Sequence, residues 1–213
     1  MSQNALCAVL TGDLIKSRKA STAVVEATLA TLRVAADDFG AAWDLDLRFT
    51  RYRGDGWQVA LTKPGLLLDA ALFFTARLKA SQGTIATRIS IGVGMVETLG
   101  TVDLSDATGP AFFISGDRLD HMGRNRMITL DGTGICATAV GLIDLAAFIA
   151  TGWTAAQAEA VAHVLAGHAP RHEDIAADLG ITRQAVQSRL ASAGVPYFDK
   201  ALYALRTYEF TDP

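Results

Sequence analysis

The first half of the chain alternates between strand and helix patterns of apolar residues. An almost continuous apolar run at residues 5–10, ALCAVL, is typical of a central strand that is covered on both faces. Between Thr22 and Gly40 the apolar residues recur at helical spacing, with Ser21 or Thr22 available as an N-cap and Gly40 as a stop signal. These two segments predict a buried strand followed by an amphipathic helix.

The next segments predict a β-hairpin and a second helix. Residues 47–53, LRFTRYR, alternate in polarity, and strand character resumes at residues 57–61, WQVAL, so we expect the chain to turn at Asp55 and Gly56. Residues 66–80, LLLDAALFFTARLKA, carry large apolar side chains at helical spacing. The order of elements up to this point is therefore β, α, β, β, α.

A glycine-rich strand, a third helix and another strand complete this part of the chain. Residues 88–97, RISIGVGMVE, alternate between large apolar side chains and arginine, serine or glycine, so that one strand face is almost bare. Glycines at such positions often mark the close approach of a ligand or of another backbone. A helix is predicted to start at Pro110, and RMITL at residues 126–130 predicts a strand. The βαββαβ order predicts an α+β fold of the ferredoxin-like type, with its helices on one face of the sheet.

Strand patterns end near residue 136, and only helical patterns follow. We therefore predict two domains, residues 1–136 with the sheet and residues 137–213 as a small all-α domain. Within the second domain, residues 175–190, IAADLGITRQAVQSRL, have the pattern of a helix-turn-helix motif. Gly180 permits the tight turn, and Thr182 is the expected N-cap of the second helix.

Composition and charge limit the partners that the whole chain can attract. Lys and Arg total 19 against 22 Asp and Glu, and the resulting net charge of −3 predicts no general attraction to nucleic acid or to anionic membranes. The first residues lack a signal-peptide pattern, and no apolar stretch approaches the ~20 residues needed to span a bilayer. Cys7 and Cys136 lie in apolar surroundings, which is typical of reduced, buried thiols. A cytoplasmic protein is expected, and any site for a polyanion has to be local.

Two aspartates are candidate ligands of a divalent metal ion. In a sheet of the predicted order, the end of the first strand lies beside the tip of the hairpin, so Asp13 and Asp55 are expected to meet. Adjacent carboxylates repel each other unless a cation lies between them, and Mg²⁺ binds through one or two carboxylates together with substrate phosphates. Phosphoryl chemistry is then the expected reaction. Each aspartate also has an ordinary alternative, since Asp55 suits a hairpin turn and Asp13 could cap a turn.

Lysine and arginine side chains are expected at the same end of the sheet. Backbone amides of the loop after the first strand can cradle a phosphate, and Lys16 and Arg18 of this loop can neutralise its charge. Arg51 and Arg53 approach from the hairpin, and Arg118 approaches from the third helix. The loop and hairpin cations could instead be solvated surface charges.

Nearly the whole chain resembles the SatD family of bacterial proteins. The resemblance rests on the segments TGDLIKSR, RGDGWQ, RISIGVG and GPAF, followed by the helix-turn-helix stretch, in this order and at these separations. The N-terminal part also resembles class III nucleotidyl cyclases, whose catalytic domain has a ferredoxin-like core. That second resemblance implies Asp13 and Asp55 as ligands of Mg²⁺ or Mn²⁺, the carbonyl group of Leu14 as a further ligand, and Arg51 as a base-selecting residue.

The resemblance to cyclases also extends to the third helix, at FFISGDRLD. It implies that Arg118 is a catalytic arginine, and it places Ile114 where cyclases carry an asparagine. Because that asparagine orients the ribose, its replacement argues against efficient cyclisation and favours nucleotide binding. An active cyclase, or a related phosphoryl-transfer enzyme with a helical dimerisation tail, is the alternative.

The C-terminal motif is similar to the helix-turn-helix of sigma factors, which implies DNA binding. The residues expected to face the major groove are Thr182, Arg183, Gln184, Gln187 and Arg189. Residues 151–213 carry five basic against seven acidic side chains, a net charge of −2, so a helix pair used only for packing or for binding protein is the alternative. The sequence thus predicts a homodimeric regulator in which a nucleotide-binding domain with Mg²⁺ or Mn²⁺ controls DNA binding.

Overall fold

The computed structural model describes residues 5–52, 54–167 and 170–211. Five strands are present in these ranges: β1 (Ala5–Leu14), β2 (Thr50–Tyr52), β3 (Gly56–Leu61), β4 (Thr87–Val96) and β5 (Ile128–Gly132). Eight α-helices are present in the same ranges: α1 (Thr22–Trp43), α2 (Leu67–Ala80), α3 (Pro110–Asp120), α4 (Ala137–Thr151), α5 (Ala155–Leu165), α6 (His172–Leu179), α7 (Arg183–Ser192) and α8 (Val195–Arg206). Short 3₁₀ turns lie at Ser17–Lys19, Pro64–Leu66 and Leu104–Asp106. Among these described elements, no helix combines the length and the apolar character needed to cross a membrane.

The five strands form one sheet in the order β2-β3-β1-β4-β5. Strand β1 is antiparallel to both β3 and β4, and β5 is parallel to β4. The expected α+β class is confirmed, and the ferredoxin-like order stays a prediction. Strand β1 is longer than predicted, because the ladder with β4 continues as far as Leu14. Asp13 is therefore a strand residue and not a loop residue.

Close packing fixes the end of β1 against its neighbours. A Cβ atom at Gly12 would lie 2.4 Å from Cε2 of Trp57, so only glycine fits at this position. Trp57 is fully buried, and its indole N–H donates to Oγ1 of Thr87 at 2.9 Å. The Thr87 hydroxyl donates in turn to the carbonyl oxygen of Asp13 at 2.8 Å. Residues of β1, β3 and β4 are thus joined in one rigid arrangement.

Helices cover both faces of the sheet, whereas the sequence predicted helices on one face only. Helices α1 and α2 pack on the face of Leu10, in a core that includes Phe39 and Phe73. Helix α3 lies on the opposite face, against β4 and β1. Gly92 permits this approach, because a Cβ atom there would lie 2.5 Å from the carbonyl oxygen of Ala111. The bare face of β4 is therefore occupied by a helix backbone.

The C-terminal helices share a hydrophobic core with the sheet. Helix α5 packs along α2, and α4 packs on β5. The buried cluster that contains Phe73 of α2 also contains Leu205 of α8. Trp153 is buried between α4 and α5, and its indole N–H donates to the carbonyl oxygen of Ala193 at 2.8 Å. The boundary at residue 136 falls between β5 and α4, and the division into two domains stays a prediction.

The two cysteines lie in different surroundings. Cys7 is buried, and burial raises the pKa of its thiol. Cys136 is exposed at the N-cap of α4, so the expectation that it is buried was wrong. Ala139 in the first turn of the helix is buried, whereas Cys136 and the adjoining Ala137 are exposed. A hydrogen bond with the Tyr208 side chain lowers the pKa of the Cys136 thiol.

A buried ion pair joins α8 to α2. Asp69 has no exposed side-chain surface, and Nε of Arg206 lies 3.2 Å from each of its carboxylate oxygens. Nη2 of Arg206 donates a further hydrogen bond to Oδ1. The guanidinium also lies over the ring of Trp43, 5.1 Å from the centroid. Burial raises the pKa of Asp69, and the hydrogen bond with Arg206 opposes that shift. The ionised form of this carboxylate therefore depends on Arg206.

We predict that Arg206→Met destabilises the protein by about 3 to 5 kcal/mol, because it leaves a buried carboxylate without a partner. Without Arg206, the folded-state pKa of Asp69 rises further above its unfolded value of about 4. The folded state then holds the proton more tightly than the unfolded state, so the free energy of unfolding falls as the pH rises from about 4 through the folded-state pKa. Urea denaturation at several pH values between about 5 and 8 measures this fall.

The double variant that combines Asp69→Asn with Arg206→Met is the matched control, because it contains no buried carboxylate. Asp69 no longer titrates in the double variant, so its free energy of unfolding should lack the fall with pH that this carboxyl causes in Arg206→Met. A single variant Arg206→Met whose free energy of unfolding falls no more steeply with pH than that of the double variant would contradict the prediction.

Candidate functional site

The ends of β1 and β4 and the hairpin between β2 and β3 form the candidate site. In the sheet register, Asp13 lies directly opposite Gly56 of β3 and Arg88 of β4. Asp55 immediately precedes Gly56 in the hairpin turn, so the two predicted aspartates occupy adjoining positions. Their neighbourhood follows from the pairing of β1 with β3, and their role as metal ligands stays a prediction.

Each of the two carboxylates has a partner within the protein. Nε of Arg88 donates to Oδ1 of Asp13 at 2.9 Å, and Nη2 of the same guanidinium donates to Oδ2. The Ser17 hydroxyl donates to Oδ2 of Asp55. Hydrogen bonding to Asp13 raises the pKa of Arg88. The two acids thus belong to separate contacts, one with β4 and one with the loop after β1.

These contacts do not suit a divalent metal ion held between the two aspartates. Both oxygens of Asp13 accept hydrogen bonds from the guanidinium of Arg88, and Oδ2 of Asp55 accepts one from Ser17. A metal ion between the aspartates would have to displace these donors and would then lie beside the positive charge of Arg88. The residues present therefore fit Mg²⁺ or Mn²⁺ poorly.

Arg88 is the residue of this site that the sequence analysis did not select. The pattern RISIGVG places it on the bare face of its strand, but the pattern contains no information on the register between β4 and β1. A single arginine at the start of a buried, glycine-rich strand is a signal that could have identified it, because a partly buried charge needs a partner. The register then identifies that partner as Asp13.

The loop after β1 carries cations that have no carboxylate partner. Lys16, Arg18 and Lys19 are exposed and form no ion pair with any residue in the described ranges. The N–H of Ile15 donates to the carbonyl oxygen of Ala86 at 2.8 Å, which holds the loop beside the start of β4. The serine–aspartate hydrogen bond described above holds its other side to the hairpin. The loop is therefore fixed across the end of the sheet while its cations face solvent.

The remaining predicted ligand residues are only partly available. Arg51 forms an ion pair with Glu26 of α1 at 2.9 Å, and its Nε donates to the carbonyl oxygen of Gly54. Leu14 is the last residue of β1 and its side chain is buried in the core, and the role of its carbonyl group as a ligand stays a prediction. Arg53 lies outside the described residues. Arg51 is thus on the hairpin side of the site, as expected, and is engaged by an exposed acid.

Within one chain, Arg118 lies away from the other candidate residues. It forms an ion pair with Asp131 of β5, and β4 separates β5 from β1 in the sheet. Ile114 lines a groove on the same side together with Asp131 and Cys136. The predicted catalytic arginine therefore lies at the far edge of the sheet from Asp13.

A polar cluster lies beneath α3, on the face of the sheet that carries Asp13. Oγ1 of Thr11 lies 2.7 Å from Oγ of Ser115 and accepts a hydrogen bond from Nε2 of Gln58 at 3.0 Å. Ser90 is fully buried opposite Thr11, and its hydroxyl has no hydrogen-bond partner among the described residues. An unsatisfied buried polar group typically costs about 1 to 3 kcal/mol.

We predict that Ser90→Ala leaves the free energy of unfolding unchanged or raises it by up to about 2 kcal/mol, because it removes a hydroxyl that lacks a partner. Thr11→Val is the matched control, since it removes a hydroxyl that is hydrogen-bonded and should lower the free energy of unfolding by about 1 kcal/mol or more. Urea denaturation of both variants measures the difference. A clear loss of stability in Ser90→Ala would count against the prediction.

Helices α6 and α7 pack against each other across a tight turn. Gly180 ends α6 in the left-handed region with φ of 63°, where glycine carries no steric penalty. The Thr182 hydroxyl caps α7 by accepting a hydrogen bond from the N–H of Ala185 at 3.2 Å. The capping residue and the turn agree with the sequence pattern, and DNA binding by this helix pair stays a prediction.

The residues predicted to contact DNA differ in how freely they can do so. Gln184 and Gln187 are exposed on α7. Arg183 forms an ion pair with a glutamate of α6 at 3.0 Å. Arg189 forms an ion pair with Glu159 of α5 at 3.0 Å, and its side chain is only 26% exposed. Arg189 is therefore directed toward α5 and away from the exposed face of α7.

Comparisons with known proteins give few matches. No protein-family model and no curated protein matches the chain. The catalytic core of a rhodopsin-guanylyl cyclase with converted specificity, solved in complex with ATPαS, is 18% identical with a TM-score of 0.45, over 60% of this chain and 77% of that one. A structure of a bacterial light-regulated adenylyl cyclase is 15% identical with a TM-score of 0.40, over 60% of this chain and 76% of that one. A second structure of that description is 16% identical with a TM-score of 0.40, over 61% and 44% of the two chains. Similarities of this size do not assign the chain to a family.

Proposed function

We propose that the chain is a regulator whose sheet-bearing part binds a nucleotide, as its resemblance to SatD proteins and to class III nucleotidyl cyclases implies. The observation that supports this proposal most directly is the concentration of unpaired cations in the loop after β1. The loop lies at the same end of the sheet as Arg88 and the hairpin that carries Arg51. A chain of phosphates is the part of a nucleotide that such a surface attracts.

The loop cations differ from most arginines of the described chain. Elsewhere in the described ranges most arginines form ion pairs with carboxylates, as Arg77 does with Asp38 at 2.6 Å. Lys16, Arg18 and Lys19 can contact phosphate oxygens without breaking any such pair. Hydrogen bonds between ionised groups are roughly twice as strong as neutral ones. The loop is therefore the part of the site best suited to the phosphates.

A homodimer is part of the proposal, because Arg118 lies too far along the sheet to serve the site of its own chain. The resemblance to cyclases implies a site that is completed across a dimer interface, so α3 of a second copy would supply Arg118. Phe113 on α3 is 75% exposed and gives this helix an apolar surface for such a contact. Arg51 would then contact the base, as that resemblance implies.

Binding, and not cyclisation, is the proposed activity of the site. Ile114 has no polar group with which to orient a ribose. The alternative, an active nucleotidyl cyclase or related phosphoryl-transfer enzyme, needs a divalent ion at Asp13 and Asp55. The hydrogen bonds that these two side chains already make do not favour that ion.

We expect the purified protein to bind ATP or GTP, and the double variant Lys16→Ala with Arg18→Ala to bind at least about tenfold more weakly. Hydrogen bonds to charged groups contribute about 1.5 to 3 kcal/mol each, and 1.4 kcal/mol corresponds to tenfold in affinity. Isothermal titration calorimetry measures the affinities. The double variant Arg124→Ala with Lys200→Ala is the matched control, because it removes two exposed cations outside the site.

Equal weakening in both double variants, or a parent protein that binds neither ATP nor GTP, would contradict the proposal. The same samples are assayed for conversion of ATP or GTP to a cyclic product with Mg²⁺ or Mn²⁺ present. Turnover that is lost in Asp13→Ala and in Asp55→Ala would instead favour the cyclase alternative.

DNA binding by α6 and α7 is a second candidate function. The observation that favours it is local: the tight turn at Gly180 presents Gln184 and Gln187 on an exposed helix face. Such side chains can contact phosphates and base edges in a major groove. In a homodimer, two such helices would be available, and nucleotide occupancy could change the spacing between them.

If α7 binds DNA, a labelled duplex should be retained at low salt with an affinity that falls as salt rises, since phosphate contacts release counterions. The double variant Arg183→Ala with Gln187→Ala should bind about tenfold more weakly, whereas Lys200→Ala on α8 should have little effect. Fluorescence anisotropy measures the affinities. A protein that retains no duplex at low salt would exclude this second function.

A further inference from the structure

We infer that the proposed nucleotide site binds phosphates without a divalent metal ion, and that Arg88, held in place by Asp13, supplies the positive charge that contacts them. The inference rests on the proposed function, since it concerns how that same site holds its ligand. The guanidinium of Arg88, which the sheet positions, would take the role of the metal ion that the two aspartates suggest.

The position of Arg88 is set by the sheet and not by a mobile segment. It lies opposite Asp13 in a ladder that pairs β1 with β4 from Ala5 to Leu14. Asp13 is fixed on its other side by its pairing with Gly56 of β3. The Arg88 and Asp13 side chains are 26% and 31% exposed, so the ion pair reaches solvent. A ligand at the end of the sheet can therefore contact a guanidinium that is already oriented.

The guanidinium of Arg88 keeps donors for a ligand. Arginine carries five N–H donors in a planar fork, and Asp13 accepts from Nε and Nη2. Nη1 and the second N–H of Nη2 remain, and such forked donors match phosphate oxygens. Asp13 would thus act as a positioning residue that orients Arg88, while Arg88 contacts the ligand.

A metal ion and a phosphate group differ in which existing contacts of this site they would have to break. A metal ion would have to displace Arg88 from Asp13 and Ser17 from Asp55, and would then remain beside a free guanidinium. A phosphate group would be repelled by the carboxylates of Asp13, Asp55 and Asp120, but Arg88 and the three loop cations outnumber them, and no existing contact would have to break. The contacts already present at the site therefore favour the anion over the metal ion.

The first experiment compares binding with and without divalent ions. Isothermal titration calorimetry of the full chain with ATP, GTP and inorganic tripolyphosphate is carried out in EDTA and again with Mg²⁺ or Mn²⁺. We expect affinities in EDTA within about threefold of those with the metal ion. Binding that needs the metal ion, or that it strengthens more than about tenfold, would overturn the inference and leave the proposed function intact. Absence of binding under every condition would overturn the proposed function itself.

Asp13→Asn distinguishes the two kinds of site. At a metal site this change removes a charged ligand and abolishes metal-dependent binding. At an arginine site, ATP binding in EDTA persists, because the amide oxygen still accepts a hydrogen bond from Arg88 and one negative charge is lost. Thermal unfolding confirms that the variant is folded. A folded Asp13→Asn protein that no longer binds ATP would overturn the inference.

Arg88→Met tests the guanidinium directly. We expect ATP binding in EDTA to weaken at least about tenfold, since a charge-assisted contact is lost. Asp13 is also released, so Mn²⁺ should raise the thermal midpoint of this variant more than that of the parent. Arg88→Lys keeps the charge without the fork and should bind with intermediate affinity. An Arg88→Met protein that is folded and binds ATP in EDTA as the parent does would contradict the inference.

Discussion

Strand β1 is paired on both sides, with β4 along its whole length and with β3 from Ala8 to Asp13. The rest of the candidate site depends on this pairing, because it places the hairpin, the loop after β1 and the start of β4 at one end of the sheet. Gly12 makes the arrangement possible, since the ring of Trp57 fills the space that a side chain would need. A shift of the register by one residue would turn Asp13 to the opposite face and separate it from Arg88.

Two arginine–aspartate pairs with the same chemistry occupy different surroundings, and the difference decides what each can do. Asp69 is completely buried, so its pair with Arg206 joins α8 to α2 and leaves no room for a ligand. Asp13 and Arg88 are partly exposed at the end of the sheet, where further donors of the guanidinium reach solvent. The first pair is a structural contact within a shared hydrophobic core. The second is an oriented cation beside a loop of unpaired cations.

The sequence predicted the elements, because apolar periodicity and turn residues are local signals. The pairing of β1 with β3 brings Asp13 beside the hairpin of Asp55, whereas the two carboxylates make separate contacts. The sequence did not predict that Arg88 is the partner of Asp13, because strand register depends on packing such as that of Gly12 against Trp57. It also did not predict that α3 lies on the opposite face, since Gly92 is equally compatible with a bound ligand or with a helix backbone. In each case the missing information is a contact between distant segments.

The measurement that tests the central claim most directly is the change in backbone amide NMR signals when ATP is added in EDTA. The account predicts that the largest changes fall on the loop from Ser17 to Lys19 and on Arg88 and its neighbours in β4. These changes should remain when Mg²⁺ is added. Changes confined to another surface, such as the groove at Ile114 and Cys136, or changes that occur only with Mg²⁺ present, would contradict it.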